Sequence, residues 1–198
     1  VEENSYVPLD KRVWYEATTL RDAGWQVAVI CPLMLGGKLT AAQQTSNPEL
    51  LEGIRVYRFP LKIAQRGMWD YLREYLTAIW GISRLSWQVW RDDRFDVIQF
   101  CNPPDLFAPL ALLYRLLGAR VVFDHHDLFP ELVQWRFHGL AGRVLHALAL
   151  VGEYTSLRSA NAVISTNESY RQVATDRAKV PPERVVVVRN GPKREDFA

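Results

Sequence analysis

The sequence predicts an α/β protein built on a doubly wound parallel sheet, and three observations favour this class. Helical and strand patterns alternate about six times along the 198 residues, as is typical of β-α repeats. The composition, 48% hydrophobic and 23% charged, suits a globular protein with a substantial core. One apolar strand pattern ends abruptly in two histidines and two acids, at the position where open parallel sheets bind their ligands.

The amino-terminal part alternates helix and strand. Asp10 caps the first helix and Gly24 ends it. Apolar residues at helical spacing form one face of this helix, namely Val13, Ala17 and Leu20. A strand over 25–31 follows and is broken by Pro32. Residues 33–52 form a long irregular stretch, and loops of that length are usually functional.

The next strand, over 54–59, alternates apolar and basic residues, which favours a position at the sheet edge. The later elements are a helix over 68–90, a strand over 95–101, a helix that opens at Pro103-Pro104 and ends near Gly118, a strand over 120–123, a helix over 139–158, a strand over 161–165, a helix from Asn167 to about Ala178 and a strand over 184–188. The helix over 139–158 is amphipathic, because apolar residues recur at helical spacing at Val144, Leu148, Val151 and Tyr154.

Charge and composition disfavour several classes of protein. A formal net charge of +2 does not favour a nucleic-acid partner, because such binding usually needs a concentrated basic stripe. The sequence carries no long uncharged apolar segment and no signal-peptide pattern, so a cytoplasmic location is expected. Cys31 and Cys101 each end an apolar run and are expected to be buried, reduced thiols. Residues 1–198 are expected to form a single domain whose first strand is truncated.

The strand end at residues 124–127 carries the first candidate for chemistry. Imidazole is the side chain best able to exchange a proton near neutral pH. Strand alternation points one ring inward, so we assign His125 a structural role and His126 a functional one. Asp127 either orients a hydroxyl or a neighbouring ring, or caps the following turn. A metal site is the rival interpretation, although three consecutive side chains on a strand do not easily converge on one ion.

Two further polar groups lie at element ends. Asn102 and Asp105 offer donors and acceptors that suit a polyol, or they serve as turn residues beside prolines. Asp10 and Arg12 open the first helix, where an N-terminus with adjacent cations can hold an anion, or where they form a solvated cap. The sequence lacks the P-loop pattern, and no G-x-G-x-x-G follows the first strand.

The helix over 68–90 is rich in tryptophan. Projected at about 100° per residue, four arginines fall in one narrow stripe: Arg66, Arg73, Arg84 and Arg91. Trp69, Trp80 and Trp87 flank that stripe, while Leu72, Leu76, Ile79 and Trp90 continue into a core face. Arginines bordered by tryptophans suit the surface of an anionic membrane. The alternative is an ordinary amphipathic helix, and a break at Gly81 would spoil the projection.

Four segments together resemble glycosyltransferase family 4. They are the first helix with residues 10–17, the strand end with residues 123–131, residues 160–167 and residues 188–192. The resemblance implies one half of a GT-B enzyme, namely a Rossmann-like, amino-terminal, acceptor-binding domain whose carboxy-terminal nucleotide-sugar domain is absent from these residues. It implies that the full-length protein transfers a sugar, as hexosyltransferases do, from a nucleotide-sugar donor with retention of configuration.

The same resemblance implies the other properties of the reaction. The acceptor would be a glycan, a lipid-linked molecule or a small molecule, as in polysaccharide biosynthesis. No metal or other cofactor is expected, and this half alone is expected to be inactive. The enzyme would work in the cytoplasm or at the cytoplasmic face of a membrane. Two alternatives stay open: a non-catalytic interaction module of the same fold, and a GT-B sugar-nucleotide epimerase. A truncated first strand would also favour dimerisation or a rearranged sheet edge.

The resemblance assigns roles to individual residues. His126 matches the family histidine that faces the donor sugar and phosphate, and Asp127 adjoins it. Asp10 and Arg12 match the first-loop region near the diphosphate, where a cation would stabilise developing negative charge. The acceptor-side candidates are Asn102, Asp105 and Glu131. The first loop departs from some relatives because it lacks a Gly-Gly pair; Gly36-Gly37 comes after the second strand and is not equivalent.

Overall fold

The computed structural model describes residues 7–34, 48–61, 67–189 and 191. The chain divides into two compact units, Val1–Ile98 and Gln99–Ala198, and the division falls within one strand. The first unit contains a three-stranded sheet and the second a four-stranded sheet with parallel strand pairs and flanking helices. The predicted α/β class with a Rossmann-like parallel sheet is confirmed.

The first unit follows the predicted order of elements, except that a short strand occupies residues 49–51 of the stretch predicted to be irregular. Helix α1 (Lys11–Asp22) precedes strands β1 (Ala28–Met34), β2 (Glu49–Leu51) and β3 (Ile54–Leu61), and a long helix α2 (Met68–Asp93) follows. The sheet order is β1-β3-β2, with β1 parallel and β2 antiparallel to β3. The edge position predicted for residues 54–59 is therefore wrong. Arg58 is almost fully buried because Glu49 on β2 pairs with it at 3.1 Å, so a basic residue here does not mark a solvated face.

The strand predicted over residues 25–31 does not end at Pro32. Strand β1 runs through it to Met34, with Pro32 opposite Phe59 of β3. Proline removes one N–H donor, which is tolerated where a strand has no hydrogen-bonded neighbour on its outer side. Among the described residues β1 occupies that edge position. Most of the stretch predicted as irregular after Pro32, including Gly36-Gly37, lies outside the described residues.

Helix α2 is continuous, so Gly81 does not interrupt it. A Cβ atom at Gly81 would lie 2.7 Å from the Cγ and Cδ2 atoms of Phe59, closer than real Cβ contacts. Glycine is therefore required by the close packing of α2 on β3. The predicted core face is wrong at Leu72 and Leu76, which are exposed, while Trp90 is buried as expected. Leu20 on α1 is likewise exposed, and Thr18 takes the buried position.

The second unit is built on the sheet β4-β5-β6-β7. Its elements are β4 (Val97–Cys101), α3 (Ala108–Leu116), β5 (Arg120–His125), α4 (Phe129–Arg136), α5 (Gly139–Ser159), β6 (Ala162–Ser165), α6 (Glu168–Gln172), a π-helical turn (Val173–Arg177), a 3-10 turn (Pro182–Arg184) and β7 (Val185–Val187). Pairs β5–β6 and β6–β7 are parallel. Both cysteines are buried thiols outside any disulfide, as predicted.

Helix α5 has its expected bounds but an unexpected orientation. The predicted apolar stripe, Val144, Leu148, Val151 and Tyr154, is exposed to solvent. The inward face carries small residues because neighbouring backbone comes very close. A Cβ atom at Gly142 would lie 2.3 Å from the carbonyl oxygen of Phe137, and one at Gly152 would lie 2.5 Å from that of Asp105. A larger side chain cannot occupy either position, whereas Glu153 and Leu157 are buried further along the same face.

Candidate active site

The site in the second unit lies where strands β4 and β5 end. The amide N–H of Asn102, just after β4, donates to the carbonyl oxygen of Asp124 on β5 at 3.1 Å. Asp124 and His125 are the last residues of β5, and His126 and Asp127 follow in the turn before α4. These polar residues therefore lie together at the carboxyl ends of two neighbouring strands. Open parallel sheets bind ligands at this end of their strands.

The two histidines differ as strand alternation predicted. His125 is fully buried, and its Nε2 lies 3.6 Å from Oε1 of Glu153 on α5. Its ring is tilted against Tyr170 of α6, with centroids 5.6 Å apart. His126 is partly exposed, with 18% of its side chain accessible. His125 is therefore part of the packing, and His126 is the imidazole that a ligand can reach.

A buried acid lies close to the ring of His126. The Nδ1 atom of His126 lies 3.5 Å from Oδ2 of Asp124, and that oxygen also lies 3.8 Å from the Sγ donor of Cys101. The approach of Nδ1 to Asp124 is not a hydrogen bond. Asp124 belongs to the polar strand end that the sequence analysis singled out, which assigned it no role of its own.

Asn102 locks the turn that carries His126. Its Oδ1 accepts hydrogen bonds from the backbone N–H groups of His126 and Asp127, at 2.9 and 3.1 Å. Its Nδ2 donates to the carbonyl oxygen of Asp127 at 2.7 Å and to Oδ1 of Asp105 at 3.0 Å. An asparagine side chain has two donors and two acceptor positions, and all are used here. This arrangement gives Asn102 a positioning role in the turn, and its predicted acceptor contact stays a prediction.

Asp105 is also buried rather than displayed. Loss of hydration raises its pKa to about 8, although the hydrogen bond from Asn102 works in the opposite direction. The carboxyl group is therefore largely protonated at neutral pH. The side chain is fully shielded from solvent, and its predicted contact with an acceptor stays a prediction.

Asp127 is half-buried beside the histidines. Burial raises the pKa of its carboxyl group, while the charges of His126 and His125 act to lower it. Its backbone N–H and carbonyl are both held by Asn102, so the position of the residue is well defined. The side chain remains close to the accessible imidazole, which is compatible with the predicted role of orienting a ring or a hydroxyl.

Behind this turn, Arg177 joins two carboxylates. Its guanidinium contacts both oxygens of Glu153, at 2.6 and 2.5 Å, and both oxygens of Glu131, at 2.5 and 3.3 Å. Burial would lower the pKa of Arg177, but the two carboxylates outweigh it and raise that pKa. Burial would raise the pKa of Glu153, but His125 and Arg177 outweigh it and lower that pKa. Glu131, predicted to contact an acceptor, is instead held in this ion pair.

Sequence reasoning missed Glu153, Arg177 and Tyr170. Glu153 is the one that a sequence signal could have found, because it is an acid within the largely apolar stretch 147–154. Such a residue on the buried face of a helix requires a partner. Arg177 ends the π-helical turn, a distortion that is frequent at functional sites but has no clear sequence pattern. Tyr170 faces His125, and burial together with Asp127 and Glu131 raises its pKa.

Asp10 and Arg12 belong to the first unit. Asp10 caps α1 as predicted, since its Oδ1 accepts from the N–H of Val13 at 3.0 Å. Nε of Arg12 lies 3.6 Å from Oε1 of Glu16, one turn further along the helix. The predicted role of Asp10 and Arg12 near a diphosphate stays a prediction.

The described residues also bear on two other features, a metal site and a membrane-spanning helix. Within them, no group of three or more His, Cys, Asp or Glu side chains is arranged to hold a metal ion. Across the same ranges, none of the helices is both long and apolar enough to cross a bilayer. Arg66 of the predicted arginine stripe lies outside the described part of the chain, as do Asn190 and Pro192 of the segment 188–192.

Comparison with known proteins now adds to this geometry. The chain matches the glycosyl transferase 4-like domain over residues 9–191. It is also similar to the chitobiosyldiphosphodolichol beta-mannosyltransferase of Candida glabrata, with 23% identity over 184 residues. That match covers 91% of this chain and 39% of the relative, so the chain spans about two fifths of that protein's length. The strand-end histidine turn therefore lies within a matched domain, and the chain belongs to the glycosyl transferase 4-like family.

Proposed function

We propose that the full-length protein is a glycosyltransferase and that this chain is its amino-terminal, acceptor-side domain. It would move a sugar from a nucleotide-sugar donor to a glycan, a lipid-linked molecule or a small molecule. The observation that carries the proposal is the turn locked by Asn102, which presents His126 at the carboxyl end of β5 with Asp124 beside it. The family match gives this geometry its context, and the relative's name records a mannosyltransferase.

The proposed chemistry divides among a few residues. His126 would face the transferred sugar and its phosphate through Nε2, and Asp124 would hold the ring in place. Asp127 would orient the ring or a substrate hydroxyl, and Arg12 with Asp10 would act near the diphosphate leaving group. Positioned groups of this kind are effective because they meet charge where it develops in the transition state. Transfer is proposed to need no metal ion or other cofactor, and to retain the anomeric configuration.

Replacement of His126 by alanine tests the central assignment. The full-length protein would first be screened against nucleotide sugars by hydrolysis and thermal shift to find the donor. His126→Ala should then lower kcat by roughly two to four orders of magnitude, the contribution typical of a positioned proton-transfer group. The matched control is His138→Ala, at an exposed histidine outside the turn. Transfer at the wild-type rate by His126→Ala would reject the role of this residue.

The product distinguishes the remaining possibilities. The proposal predicts a glycoside whose anomeric configuration, read by NMR coupling constants, matches that of the donor. A glycoside of the opposite configuration would reject retention while leaving glycosyl transfer intact. Recovery of an epimerised nucleotide sugar in place of a glycoside would favour the epimerase. Activity that survives exhaustive chelation would support metal-independent transfer, and its loss would reject that part of the proposal.

We also propose that helix α2 contacts an anionic membrane at the cytoplasmic face. Trp69 and Trp80 are 75% and 72% exposed, and Trp87 is exposed beside them. The described arginines of the predicted stripe, Arg73, Arg84 and Arg91, are exposed too. Charge reversal of Arg73 and Arg84 should release the protein from vesicles that contain phosphatidylglycerol. Unchanged co-sedimentation of that variant would count against this contact.

A further inference from the structure

Helices α4 and α5 of the second unit display a second apolar surface. We define the α4–α5 surface by its exposed large side chains, which are Leu132, Trp135, Leu140, Val144, Leu148 and Val151. The exposed fraction of Trp135 is 76% and that of Leu140 is 79%. Soluble proteins rarely leave contiguous apolar groups of this kind uncovered unless something binds there.

The four residues on α5 form one continuous stripe. Leu140, Val144, Leu148 and Val151 follow each other at spacings of four, four and three residues, which places them on one face of a helix. At about 1.5 Å of rise per residue the stripe is roughly 16 Å long. The opposite face is fixed to the protein by the close backbone contacts at Gly142 and Gly152. Rotation of α5 to bury the stripe is therefore excluded by packing.

The charges on this segment have one sign. Residues 132–152 contain two arginines, two histidines and no acid. Arg143 is exposed and lies one helical turn after Leu140 and next to Val144, at the border of the stripe. Glu131 and Glu153, the acids that flank the segment, are both paired with Arg177. An approaching surface therefore meets apolar side chains bordered by cations.

Helix α2 differs in this respect. It carries acids as well as Arg73, Arg84 and Arg91: Asp70 and Asp92 are exposed, Glu74 is buried, and Asp93 pairs with Arg55. Apolar side chains that include a tryptophan, bordered by cations alone, match the interface of an anionic bilayer better than a mixed-charge helix does. We infer that the α4–α5 surface binds the headgroup region of an anionic membrane, with the α5 stripe lying in the plane of the interface.

Vesicle co-sedimentation of the full-length protein tests this inference. The vesicles would contain phosphatidylcholine alone or phosphatidylcholine with phosphatidylglycerol. Arg143→Glu should weaken partition onto the anionic vesicles about thirtyfold, since each unit of charge near such a leaflet contributes about a fivefold factor. Leu140→Ser combined with Leu148→Ser should weaken it at least about tenfold by removing apolar area. All of these positions are exposed, so the thermal midpoint should stay unchanged.

Matched controls keep the outcome specific. Leu50→Ser changes a leucine that is 70% exposed in the first unit, and Arg184→Glu reverses an exposed arginine of the 3-10 turn. Neither should alter vesicle binding. The series would be repeated with Arg73 and Arg84 reversed, so that failure of the α2 contact and failure of this inference can be told apart.

Three results would overturn the inference. The first is wild-type vesicle binding by both the Arg143 and the Leu140/Leu148 variants. The second is equal binding of the wild-type protein to neutral and anionic vesicles. The third is a change of oligomeric state, without a change in vesicle binding, when Leu140 and Leu148 are replaced, because the surface would then be an interface between protein chains.

Discussion

Replacement of Arg177 by methionine is expected to take from the buried carboxylate of Glu153 its guanidinium partner and to leave beside it the ring of His125, 3.6 Å away. Glu153 has 1% of its side chain exposed, and Arg177 contacts both of its oxygens. Methionine keeps much of the volume of the arginine stem but removes the guanidinium. Glu131, the other partner, is 43% exposed and can be hydrated when Arg177 is lost. The cost should therefore come mainly from Glu153.

The magnitude follows from what buried ion pairs do when one partner is removed. Such changes typically cost about 3–5 kcal/mol, and the partial exposure of Arg177 places this one near about 3 kcal/mol at neutral pH. For a chain of 198 residues this corresponds to a fall in Tm of roughly 6–12 °C. The double variant Glu153→Gln with Arg177→Met should lose less than the single variant, because no buried charge is left uncompensated.

The pH dependence has a defined sign. In the wild type the pKa of Glu153 lies below its ordinary value of 4.5, so its stabilising contribution is present above that pH and is lost as pH falls through the lowered pKa. Without Arg177, burial should raise this pKa, so the variant should lose stability as pH rises above 4.5. Urea unfolding should show a larger difference at pH 7 than at pH 5. A difference that is equal at both values, or a double variant as unstable as the sum of its parts, would refute this reasoning.

Three further predictions concern single positions. Gly81→Ala should lower the free energy of unfolding by about 1–3 kcal/mol, measured in urea, because its Cβ would overlap Phe59; an unchanged midpoint would show that Phe59 moves aside freely. The pKa of Asp105 is raised, so the contribution of this residue to stability is complete below pH 3.8 and is lost as pH rises toward about 8. Asp105→Asn should therefore be more stable relative to the wild type at pH 9 than at acidic pH. Equal profiles of unfolding free energy against pH for the two proteins would contradict this. Asn102→Ala should lower Tm by several degrees and should also lower kcat, because the turn that carries His126 loses its hydrogen bonds to Asn102. A lower Tm with an unchanged kcat would show that Asn102 does not position His126 for the reaction.

Local patterns were enough to locate most helices and strands and the histidine turn. Caps at Asp10 and Asn167 were found because an acid or amide before a helical pattern has one dominant use, and both accept the expected backbone hydrogen bond. The burial of His125 and the partial exposure of His126 were also predictable, because side chains alternate across a strand.

Predictions that depended on neighbours from distant parts of the chain were less successful. The apolar stripe of α5 suggested a buried face, but the buried face is another one, on which close backbone approaches require glycine at positions 142 and 152. Asn102 seemed suited to a ligand from its chemistry, yet three neighbours use its whole hydrogen-bonding capacity. In both cases the residue type allowed two roles, and only the spatial partner distinguished them.

The sequence alone therefore determined the α/β class, the order of elements and the placing of His126 at a strand end, since these depend on periodicity and residue type along the chain. The tertiary structure decided which polar groups are free to act. It buried Asp105, consumed Asn102 in a turn, and joined Glu131 and Glu153 through Arg177, which lies 46 and 24 residues away in sequence. It also turned the bulky face of α5 outward. The physical reason is that hydrogen-bond satisfaction and close packing depend on residues brought together by the fold, which no local pattern records.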